Sequence, residues 1–325
     1  RKLDGLEISH PDYSVKYLYS LINSGNVREA FNYSKKLEKK NLANFESYLV
    51  TGVFYLKNSN LDLAKKYLFK AKNMNPSSIL NYYVSSSLYN WASVTGLNSS
   101  QASLELKKLD DRFENLKKIQ NVFLSCFFSK ADTEELYKEL FSNQKTDFSR
   151  YYYFYSKYLA STGDNKNALK VVKDSLKKYP RNLILKQYEL DLKDSVSNFE
   201  FDCKNEKDII AELLYLAANA LSSQSIYLIS NFYLSLSKQL NEDFHAYDTL
   251  FADNFIKNSD FLNAKKIYLN LAKYGDAFKW HSNKQISRIL VQENKKVQSL
   301  SLLKKTYKEL TIKGIYETYD YAEFL

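Results

Sequence analysis

The sequence predicts an all-α fold, an α-solenoid of stacked antiparallel helix-turn-helix hairpins that forms a right-handed superhelix. The first observation behind this prediction is that 325 residues contain only 7 glycines and 3 prolines, whereas folds rich in tight turns use both residues often. The second is that apolar residues recur at helical spacing in segments joined by short polar turns. Hydrophobic residues make up 45% and charged residues 26% of the chain, a composition typical of a folded protein.

The segment from Phe45 to Pro76 is the clearest hairpin. Two helical stretches flank a short polar turn, and small residues stand where the helices must cross, Gly52 in the first and Ala64 in the second. Pro76 ends the hairpin, because proline has no N–H to donate and its ring clashes with the preceding turn. We expect the groove-side residues of this hairpin to offer little binding chemistry, since they are largely apolar: Glu46, Leu49, Val53 and Leu56.

The same pattern predicts helices along most of the chain. Gly25 and Gly163 stand in turns between paired helices, because glycine readily takes the positive φ that such turns need. Besides the two helices of the clearest hairpin, the predicted helices cover residues 13–23, 27–40, 78–94, 99–109, 112–128, 133–141, 148–162, 167–179, 183–192, 207–221, 225–240, 244–257, 261–274, 280–292, 296–310 and 314–325.

A break divides these helices into two predicted arrays. Residues 194–205 lack helical periodicity and a helix-forming composition, so we assign them to a linker. The N-terminal array covers residues 1–193, with hairpins near 11–44, 45–78 and 149–182 and a degenerate stretch over 79–147. The second array covers residues 206–325. Its last segment is predicted to be the first helix of a hairpin whose second helix is missing. Because solenoids normally end in a polar-faced cap, we expect the second array to be truncated at its C-terminal end.

Small residues mark the second helices at a regular interval. The members of three pairs stand about 34 residues apart, the period of one helical hairpin repeat: Ala30 and Ala64, Ser230 and Ala264, Ala264 and Ser299. Ala168 lies about three such periods beyond Ala64, and Pro76 and Pro180 stand at the same offset after these two alanines. The chain therefore contains a repeated unit.

The repeat resembles the tetratricopeptide repeat, whose pattern is W-x2-L-G-x2-Y, then A-x3-F, then P. Weaker copies begin at Tyr152, Leu214 and Phe251, and the fit is poor over residues 79–147 and 181–205. More loosely, the chain resembles the long tetratricopeptide repeat proteins of alphaproteobacteria, which implies a protein of the bacterial cytoplasm or periplasm. The best copy runs Tyr48, Thr51, Gly52, Tyr55, Ala64, Leu68 and Pro76.

No motif for catalysis, a cofactor or a metal is present. His10, His245 and His281 lack metal-binding spacing, and the sequence contains neither a phosphate-binding glycine loop nor a nucleophile elbow. No apolar run is long enough to span a membrane. We therefore expect a protein that is not an enzyme, uses no cofactor or metal and has no membrane span.

The two cysteines, Cys126 and Cys203, show neither CxxC spacing nor a neighbouring histidine. They therefore provide no metal signature and no disulfide framework. Cys126 stands in the apolar run NVFLSCFFS, which indicates a small core residue rather than an activated thiolate. We expect two unpaired thiols, with a single disulfide as the alternative.

The formal net charge of +10 raises the possibility of a nucleic-acid partner. The lysines, however, fall mainly on the predicted second helices, which form the outer wall in the tetratricopeptide architecture. A solvated outer face accounts for them, so nucleic acid is not the expected partner. These lysines are Lys65, Lys66, Lys70, Lys72, Lys170, Lys173, Lys177, Lys178, Lys265 and Lys266.

The resemblance implies that first helices line a concave groove and hold partner peptides. Lys284 and Arg288 are four residues apart and share a helix face, similar to the basic clamp that holds a C-terminal carboxylate in some chaperone-binding members. The clamp's paired Lys and Asn do not occur together on one helix here, so an acidic or mixed peptide is the expected ligand. The groove positions are Arg150, Tyr153, Lys157, Tyr215, Asn219, Asp253, His281, Lys284 and Arg288.

These observations predict a protein-interaction scaffold or adaptor that binds a segment of another protein in its concave groove. The alternative is the recognition half of a larger enzyme or envelope assembly whose other domain lies outside this chain. The two hypotheses differ in the segment expected after Leu325, which holds further repeats and a cap in the first and a catalytic domain in the second. The sequence leaves the oligomeric state open.

Overall fold

The computed structural model describes residues 6–10, 12–74, 78–143, 146–194, 200–311 and 313–325. Within these ranges the chain forms nineteen α-helices, two 3₁₀ helices at Val94–Gly96 and Asp111–Phe113, and no strand. The predicted all-α class of paired helices is therefore confirmed. The α-helices are α1 Leu6–Ser9, α2 Tyr13–Asn23, α3 Val27–Lys39, α4 Phe45–Lys57, α5 Leu61–Lys72, α6 Ile79–Ser93, α7 Ser99–Lys107, α8 Glu114–Phe127, α9 Thr133–Ser142, α10 Tyr151–Ser161, α11 Asn165–Lys178, α12 Leu183–Lys193, α13 Glu206–Ser223, α14 Tyr227–Leu240, α15 Ala246–Lys257, α16 Phe261–Leu271, α17 Asp276–Gln292, α18 Lys296–Glu309 and α19 Ile315–Ala322.

Two helices depart from the prediction. Helix α1 is a single turn, too short to show a periodic pattern. Helix α17 begins at Asp276 rather than at residue 280. Gly275 ends the preceding loop with a φ of 119°. Asp276 then places an anion in the first turn, where the helix dipole favours negative charge. Pro76, predicted to end the hairpin that begins at Phe45, lies outside the described residues. Residues 195–199 of the predicted linker also lie outside the described residues. The boundaries of the two predicted arrays therefore stay a prediction.

Small residues meet where the helices of a hairpin cross. A Cβ added to Gly52 of α4 would lie 2.8 Å from the side chain of Leu68 on α5. In three other hairpins a serine donates its hydroxyl to the carbonyl of the small residue that faces it. The close approach predicted from the small residues is therefore confirmed, and serine adds a hydrogen bond to it. These bonds join Ser156 to Ala168 at 2.9 Å, Ser230 to Ala218 at 2.7 Å and Ser299 to Ser287 at 2.9 Å.

Most hairpin turns contain a residue with positive φ. Gly25 and Gly163 take φ values of 78° and 88°, as predicted. Serine or asparagine occupies the same place in other turns, at Ser59, Ser129, Ser225, Ser259 and Asn294. The next residue caps the second helix in several hairpins, where a side-chain oxygen accepts a hydrogen bond from the first turn. The capping residues are Asn60, Asp164 and Asp260.

The chain divides into two compact units. Unit one comprises residues 1–136 and 202–244, and unit two comprises residues 137–201 and 245–325. In unit one the hairpin α13/α14 returns to the first helices of the N-terminal hairpins, where α14 packs against α2 and α4, and α13 packs against α6. The apolar groove-side residues of α4, Leu49, Val53 and Leu56, are buried. This face of unit one is therefore covered by helices of the same chain.

Specific contacts hold α14 in place. The ring of Phe232 packs edge-to-face on Tyr19, with 4.9 Å between the ring centroids. The Tyr233 hydroxyl donates to Oδ1 of Asn81 at 3.2 Å, and Nδ2 of Asn23 donates to the carbonyl of Leu228 at 3.1 Å. The return of this hairpin is thus fixed by both aromatic packing and hydrogen bonds.

Cys126 and Cys203 form a disulfide in unit one, with their Cα atoms 6.0 Å apart. The expectation of two unpaired thiols is wrong, because the chain re-enters unit one at residue 202 and so brings together cysteines separated by 77 residues. The side chain of Lys204 donates to the carbonyls of Cys126 and Phe127 at the end of α8, where a cation suits the helix dipole. The bond and the lysine together fix the point of re-entry.

Unit two contains the hairpins α10/α11, α15/α16 and α17/α18, together with α12 and α19. Helix α12 packs against α10, α11 and α17, and α19 packs against α18. Leu183 of α12 lies against a core that includes Tyr268 and Phe278. Oε1 of Gln187 on α12 accepts a hydrogen bond from the backbone N–H of Ala277 at 3.1 Å. These contacts bring the polar residues of α12 close to those of α17.

Candidate partner-binding site

Two predicted site residues, Asp253 of α15 and His281 of α17, lie beside Tyr268 of α16 in unit two. The Tyr268 hydroxyl donates to Oδ1 of Asp253 at 2.5 Å, and its ring centroid lies 5.9 Å from that of His281. Burial raises the pKa of Asp253 above its ordinary value, although the hydrogen bond from Tyr268 opposes the shift. A carboxyl, a phenol and an imidazole are therefore held in one polar cluster.

His281 is a neutral member of this cluster. Its Nε2 is enclosed and has no hydrogen-bond partner among the described residues. Burial and the positive charges of Lys284 and Arg288 lower the pKa of His281 to about 4. At pH 7 the imidazole can therefore form hydrogen bonds, but it adds no positive charge to the site.

Lys284 is engaged by a carboxylate of the same chain. Its Nζ lies 2.6 Å from Oδ2 of Asp320 on α19, and Nη1 of Arg181 lies 2.9 Å from Oδ1. Burial opposes the ionisation of Asp320, but the hydrogen bonds from Lys284 and Arg181 keep its pKa below the ordinary value. Lys186 forms a second ion pair with Glu317, one helical turn away. This surface therefore binds two carboxylates carried by one helix.

Arg288 differs from Lys284, although the two share a helix face. It is exposed, and its Nη1 lies 3.4 Å from Oε1 of Gln285, a weak contact for a hydrogen bond. The guanidinium of Arg288 is therefore presented to solvent one turn beyond the enclosed ammonium of Lys284.

Two predicted site residues of unit two lie beside aromatic rings. Arg150 directly precedes α10, and Lys157 lies on α10. The guanidinium of Arg150 lies 5.7 Å from the ring centroid of Phe154 and 5.8 Å from that of Tyr247. The ammonium of Lys157 lies 5.5 Å from the ring centroid of Tyr188 on α12. These distances are within the range of cation–π attraction, which extends to about 6 Å. The rings therefore help to position both cations.

Tyr153, Tyr215 and Asn219 have different surroundings. Tyr153 is fully buried, and its hydroxyl donates to Oε2 of Glu200 at 3.1 Å. Its ring packs edge-to-face on Tyr188 with 5.0 Å between centroids, so it supports the site from within the core. Tyr215 and Asn219 lie on α13 in unit one, where Tyr215 is half-buried and Asn219 is exposed. The other predicted residues all belong to unit two.

Residues that the sequence did not indicate complete the site. Arg181 and Lys186 were missed because residues 181–205 fit the repeat pattern poorly. Asp320 and Glu317 were missed because the repeat pattern predicts which residues of a helix face the groove, and not which residues of the chain contact them. The sequence did contain one signal for these two carboxylates, because Glu317 and Asp320 are three residues apart and so share a helix face.

A pocket of about 300 Å³ opens in unit two beside the ion pairs of α19. Lys186 and Glu317 stand at its wall, so it borders the carboxylate-binding surface directly. Its volume is at the lower end of the range of small-ligand pockets, about 300–1,000 Å³, and suits one or two large side chains. Its apolar lining comes mainly from Leu176, Leu190, Trp280, Leu310 and Ile315, the last of which belongs to α19.

Two further properties bear on the kind of site. Among the described residues, no group of three or more His, Cys, Asp or Glu side chains is placed to hold a metal ion. The helices in the same part of the chain include none that is both long and apolar enough to cross a membrane.

No protein-family model and no curated protein matches the chain. Among solved structures, it is similar to a tetratricopeptide repeat protein from Parabacteroides merdae, with 9% identity, 86% of this chain and 98% of that chain covered, and a TM-score of 0.33. It is similar to the human IFIT1 dimer with PPP-AAAA, with 14% identity, coverage of 95% and 80%, and a TM-score of 0.29. It is also similar to Naa15/Naa10 bound to HypK-THB, with 13% identity, coverage of 98% and 61%, and a TM-score of 0.25. The similarity concerns the helical fold alone.

Proposed function

We propose that this chain is a protein-interaction scaffold that binds an acidic or mixed segment of a partner protein on the polar face of unit two. The observation that supports this proposal most directly is Asp320, a carboxylate held by Lys284 and Arg181. Lys284 is engaged by Asp320, whereas Arg288, on the same helix face, is exposed and offers a donor to a carboxylate of a partner. Arg288 and Lys157 extend the positive charge along α17 and α10.

Rigidity and charge determine how such a scaffold binds. The helices of unit two are fixed by their own packing, so binding orders the partner segment more than the scaffold. Complementary charge raises the association rate and makes it sensitive to salt. We therefore expect the complex to form more slowly as ionic strength rises, because the exposed charge of Arg288 is screened.

The test compares charge-reversal variants of the proposed surface with a charge reversal elsewhere. Arg288→Glu and Lys157→Glu reverse two charges of the proposed surface, and Lys304→Glu reverses an exposed charge on α18 as the matched control. Partners recovered from a lysate by the tagged wild-type chain should be lost with the double variant and retained with Lys304→Glu. Equal recovery by all three proteins would show that the surface is wrongly assigned.

The disulfide supports one of the two compartments expected from the sequence. Disulfides persist in oxidising compartments such as the bacterial periplasm and are rare in the cytosol. We therefore propose that the scaffold works in the periplasm, with Cys126–Cys203 as the supporting observation. Alkylation of thiols in intact cells before lysis should leave both cysteines unmodified, and labelling of both would contradict the proposal.

A further inference from the structure

Two second helices of unit two, α16 and α18, expose large apolar side chains. Leu262 and Leu269 of α16 are 64% and 57% exposed, and Val297 of α18 is 84% exposed. On α16, exposed lysines alternate with the leucines at spacings of three and four residues, so that all of them share one side of the helix. We call this surface the lysine–leucine face. It consists of Leu262, Lys266 and Leu269 of α16, Lys273 just after α16, and Val297 and Leu300 of α18.

The two helices lie over the same core of unit two. Ala264 and Tyr268 of α16 belong to that core, and Leu302 of α18 packs against it. Glu293, three residues before α18, pairs with Lys265 of α16 at 2.6 Å, which holds the start of α18 beside the first turns of α16. The buried residues of both helices face the core, so the lysine–leucine face points away from it.

This part of the chain carries positive charge and no carboxylate of its own. Residues 261–275 and 294–303 contain five lysines and no aspartate, glutamate or arginine. The neighbouring carboxylate, Glu293, is engaged by Lys265 and Lys295 at 2.6 and 2.8 Å. The charges of Lys266 and Lys273, which are both exposed, therefore face solvent.

Helix α11 provides a contrast within unit two. Lys166, Lys170 and Lys173 are exposed along one side of it, at spacings of four and three residues. None of the large apolar side chains of α11, a helix described over its whole length, is exposed. The lysines of α11 therefore form the solvated face that the sequence predicts for second helices, whereas α16 adds exposed leucines to the same pattern.

The composition of the lysine–leucine face favours one of three anionic partners. A nucleic acid would be held by the lysines at its phosphates and would leave the leucines in water. Protein interfaces are rich in aromatic residues, methionine and arginine and poor in lysine, whereas this face combines lysine with leucine and valine. An anionic bilayer uses both components, because aliphatic side chains enter the boundary between head groups and acyl chains while the long lysine side chains keep their charges at the polar surface.

We propose that the lysine–leucine face docks unit two on the surface of a bilayer that contains anionic lipid. Leu262, Leu269 and Val297 enter the head-group region, and Lys266 and Lys273 lie against the lipid phosphates. The attachment is peripheral and weakens as salt screens the charges. This inference goes beyond the proposed function, since the partner-binding residues are not part of the face and the bilayer takes the place of no partner segment.

The test measures sedimentation of the full chain with sucrose-loaded vesicles at physiological salt. We expect binding to vesicles of phosphatidylcholine and phosphatidylglycerol in equal parts and little binding to phosphatidylcholine alone. Lys266→Glu/Lys273→Glu should lower the partition coefficient on the mixed vesicles at least about tenfold, because each basic residue near an anionic surface contributes about fivefold. Lys170→Glu/Lys173→Glu on α11 makes the same change of charge and should alter the coefficient less than about threefold, since charges beyond about 8 Å are screened.

A second pair of variants measures the apolar contribution. Leu262→Ser/Leu269→Ser should lower the partition coefficient at least about fivefold, because the leucines no longer remove apolar surface from water. The matched control Leu104→Ser/Leu228→Ser replaces two leucines of unit one that are 59% and 55% exposed, and it should bind like the wild type. All the replaced side chains are exposed, so each variant should keep the circular dichroism spectrum of the wild type.

Several results would overturn the inference. One is a wild-type chain that does not sediment with the mixed vesicles, and another is a leucine variant of α16 that binds them like the wild type. Equal losses in the lysine variants of α16 and α11 would assign the binding to the overall charge of the chain. A fluorescein-labelled DNA duplex, if bound by the wild type and the α16 leucine variant but not by the α16 lysine variant, would make nucleic acid the partner of this face.

Discussion

Lys284 and Asp320 form an ion pair in which Nζ lies 2.6 Å from Oδ2 and both side chains are largely enclosed. Asp320 also contacts Arg181, which lies just before α12, so this carboxylate joins α19 both to α17 and to the segment that leads into α12. The charge of Lys284 is therefore neutralised within the chain, whereas that of Arg288, four residues further on, faces solvent. The two cations share a helix face but have different roles. Lys284 holds a carboxylate of the same chain, whereas Arg288 lies at the surface.

Replacing Lys284 should destabilise unit two far more than replacing Arg288. Lys284→Ala leaves the enclosed carboxylate of Asp320 with Arg181 as its cationic partner, and the loss of one charged hydrogen bond at a buried group costs about 1–3 kcal/mol. Arg288→Ala changes an exposed position, where effects are usually within about 0.5 kcal/mol. Urea unfolding followed by circular dichroism measures both variants. Equal losses would contradict the different roles assigned to the two cations.

Removing the Cys126–Cys203 disulfide should destabilise unit one. The bond joins cysteines separated by 77 residues, for which the entropy of loop closure corresponds to about 4.5 kcal/mol. The variant Cys126→Ser/Cys203→Ser should unfold at lower urea concentration than the oxidised wild type. Dithiothreitol should lower the stability of the wild type similarly and leave the variant unchanged. A variant as stable as the oxidised wild type would show that the bond adds no constraint.

Filling a helix crossing should strain a hairpin. Ala64 and Ala168 are fully buried where α4 meets α5 and α10 meets α11, so Ala64→Leu and Ala168→Leu should each cost about 1–3 kcal/mol. Lys66→Leu adds the same side chain to the exposed side of α5 and should leave the melting temperature nearly unchanged. If both alanine variants melt like the wild type, the assigned register of the hairpins is wrong.

Unit two should lose stability as the pH falls below neutrality. The folded pKa of His281 is about 4, against 6.5 for an unperturbed histidine, so the unfolded chain binds the proton more tightly. The contribution of His281 is therefore complete above pH 6.5 and is lost as the pH falls from there towards 4. It amounts to at most about 3 kcal/mol. Chemical unfolding at pH 7 and pH 5 should show this loss in the wild type and a smaller one in His281→Asn.

Unit one should respond to pH in the opposite sense through Asp208. Burial raises the pKa of Asp208 from 3.8 to about 7; the hydrogen bond from the backbone N–H of Asp202 opposes this shift, and the charges of Asp202, Asp243 and Glu206 add to it. The folded chain therefore binds the proton more tightly. The contribution of Asp208 is complete below pH 3.8 and is lost as the pH rises towards 7. Asp208→Asn should gain stability relative to the wild type between pH 5 and pH 8, by at most about 4 kcal/mol. Parallel pH profiles of the two proteins would contradict this role.

The helices and hairpins could be predicted from the sequence because each hairpin is a local object. Apolar spacing, the small residues at a crossing and the turn residues all fall within about 34 residues, and Ala64 and Ala168 stand where this pattern puts them. The return of α13 and α14 onto the N-terminal hairpins could not be predicted in this way, since periodicity carries no information about helices distant in the chain. The disulfide was missed for the same reason.

The site could be predicted in part. The repeat pattern indicated the helix faces of Lys284 and Arg288, because a four-residue spacing fixes a face. It did not indicate that Asp320 meets one of these cations and not the other, because that depends on how α12, α17 and α19 pack. The position of Tyr153 shows the same limit, since the helix face was assigned from the repeat, whereas its full burial results from packing against Tyr188 of α12.

The division of the chain also determines the order in which its parts are made. Unit one includes residues 202–244, so its last hairpin leaves the ribosome only after residues 137–201 of unit two have emerged. Unit two must in turn await residues 245–325. Domains usually fold as they appear during synthesis, but here each unit is completed by a segment translated after part of the other. No single cut in the chain yields the two units as separate, complete fragments.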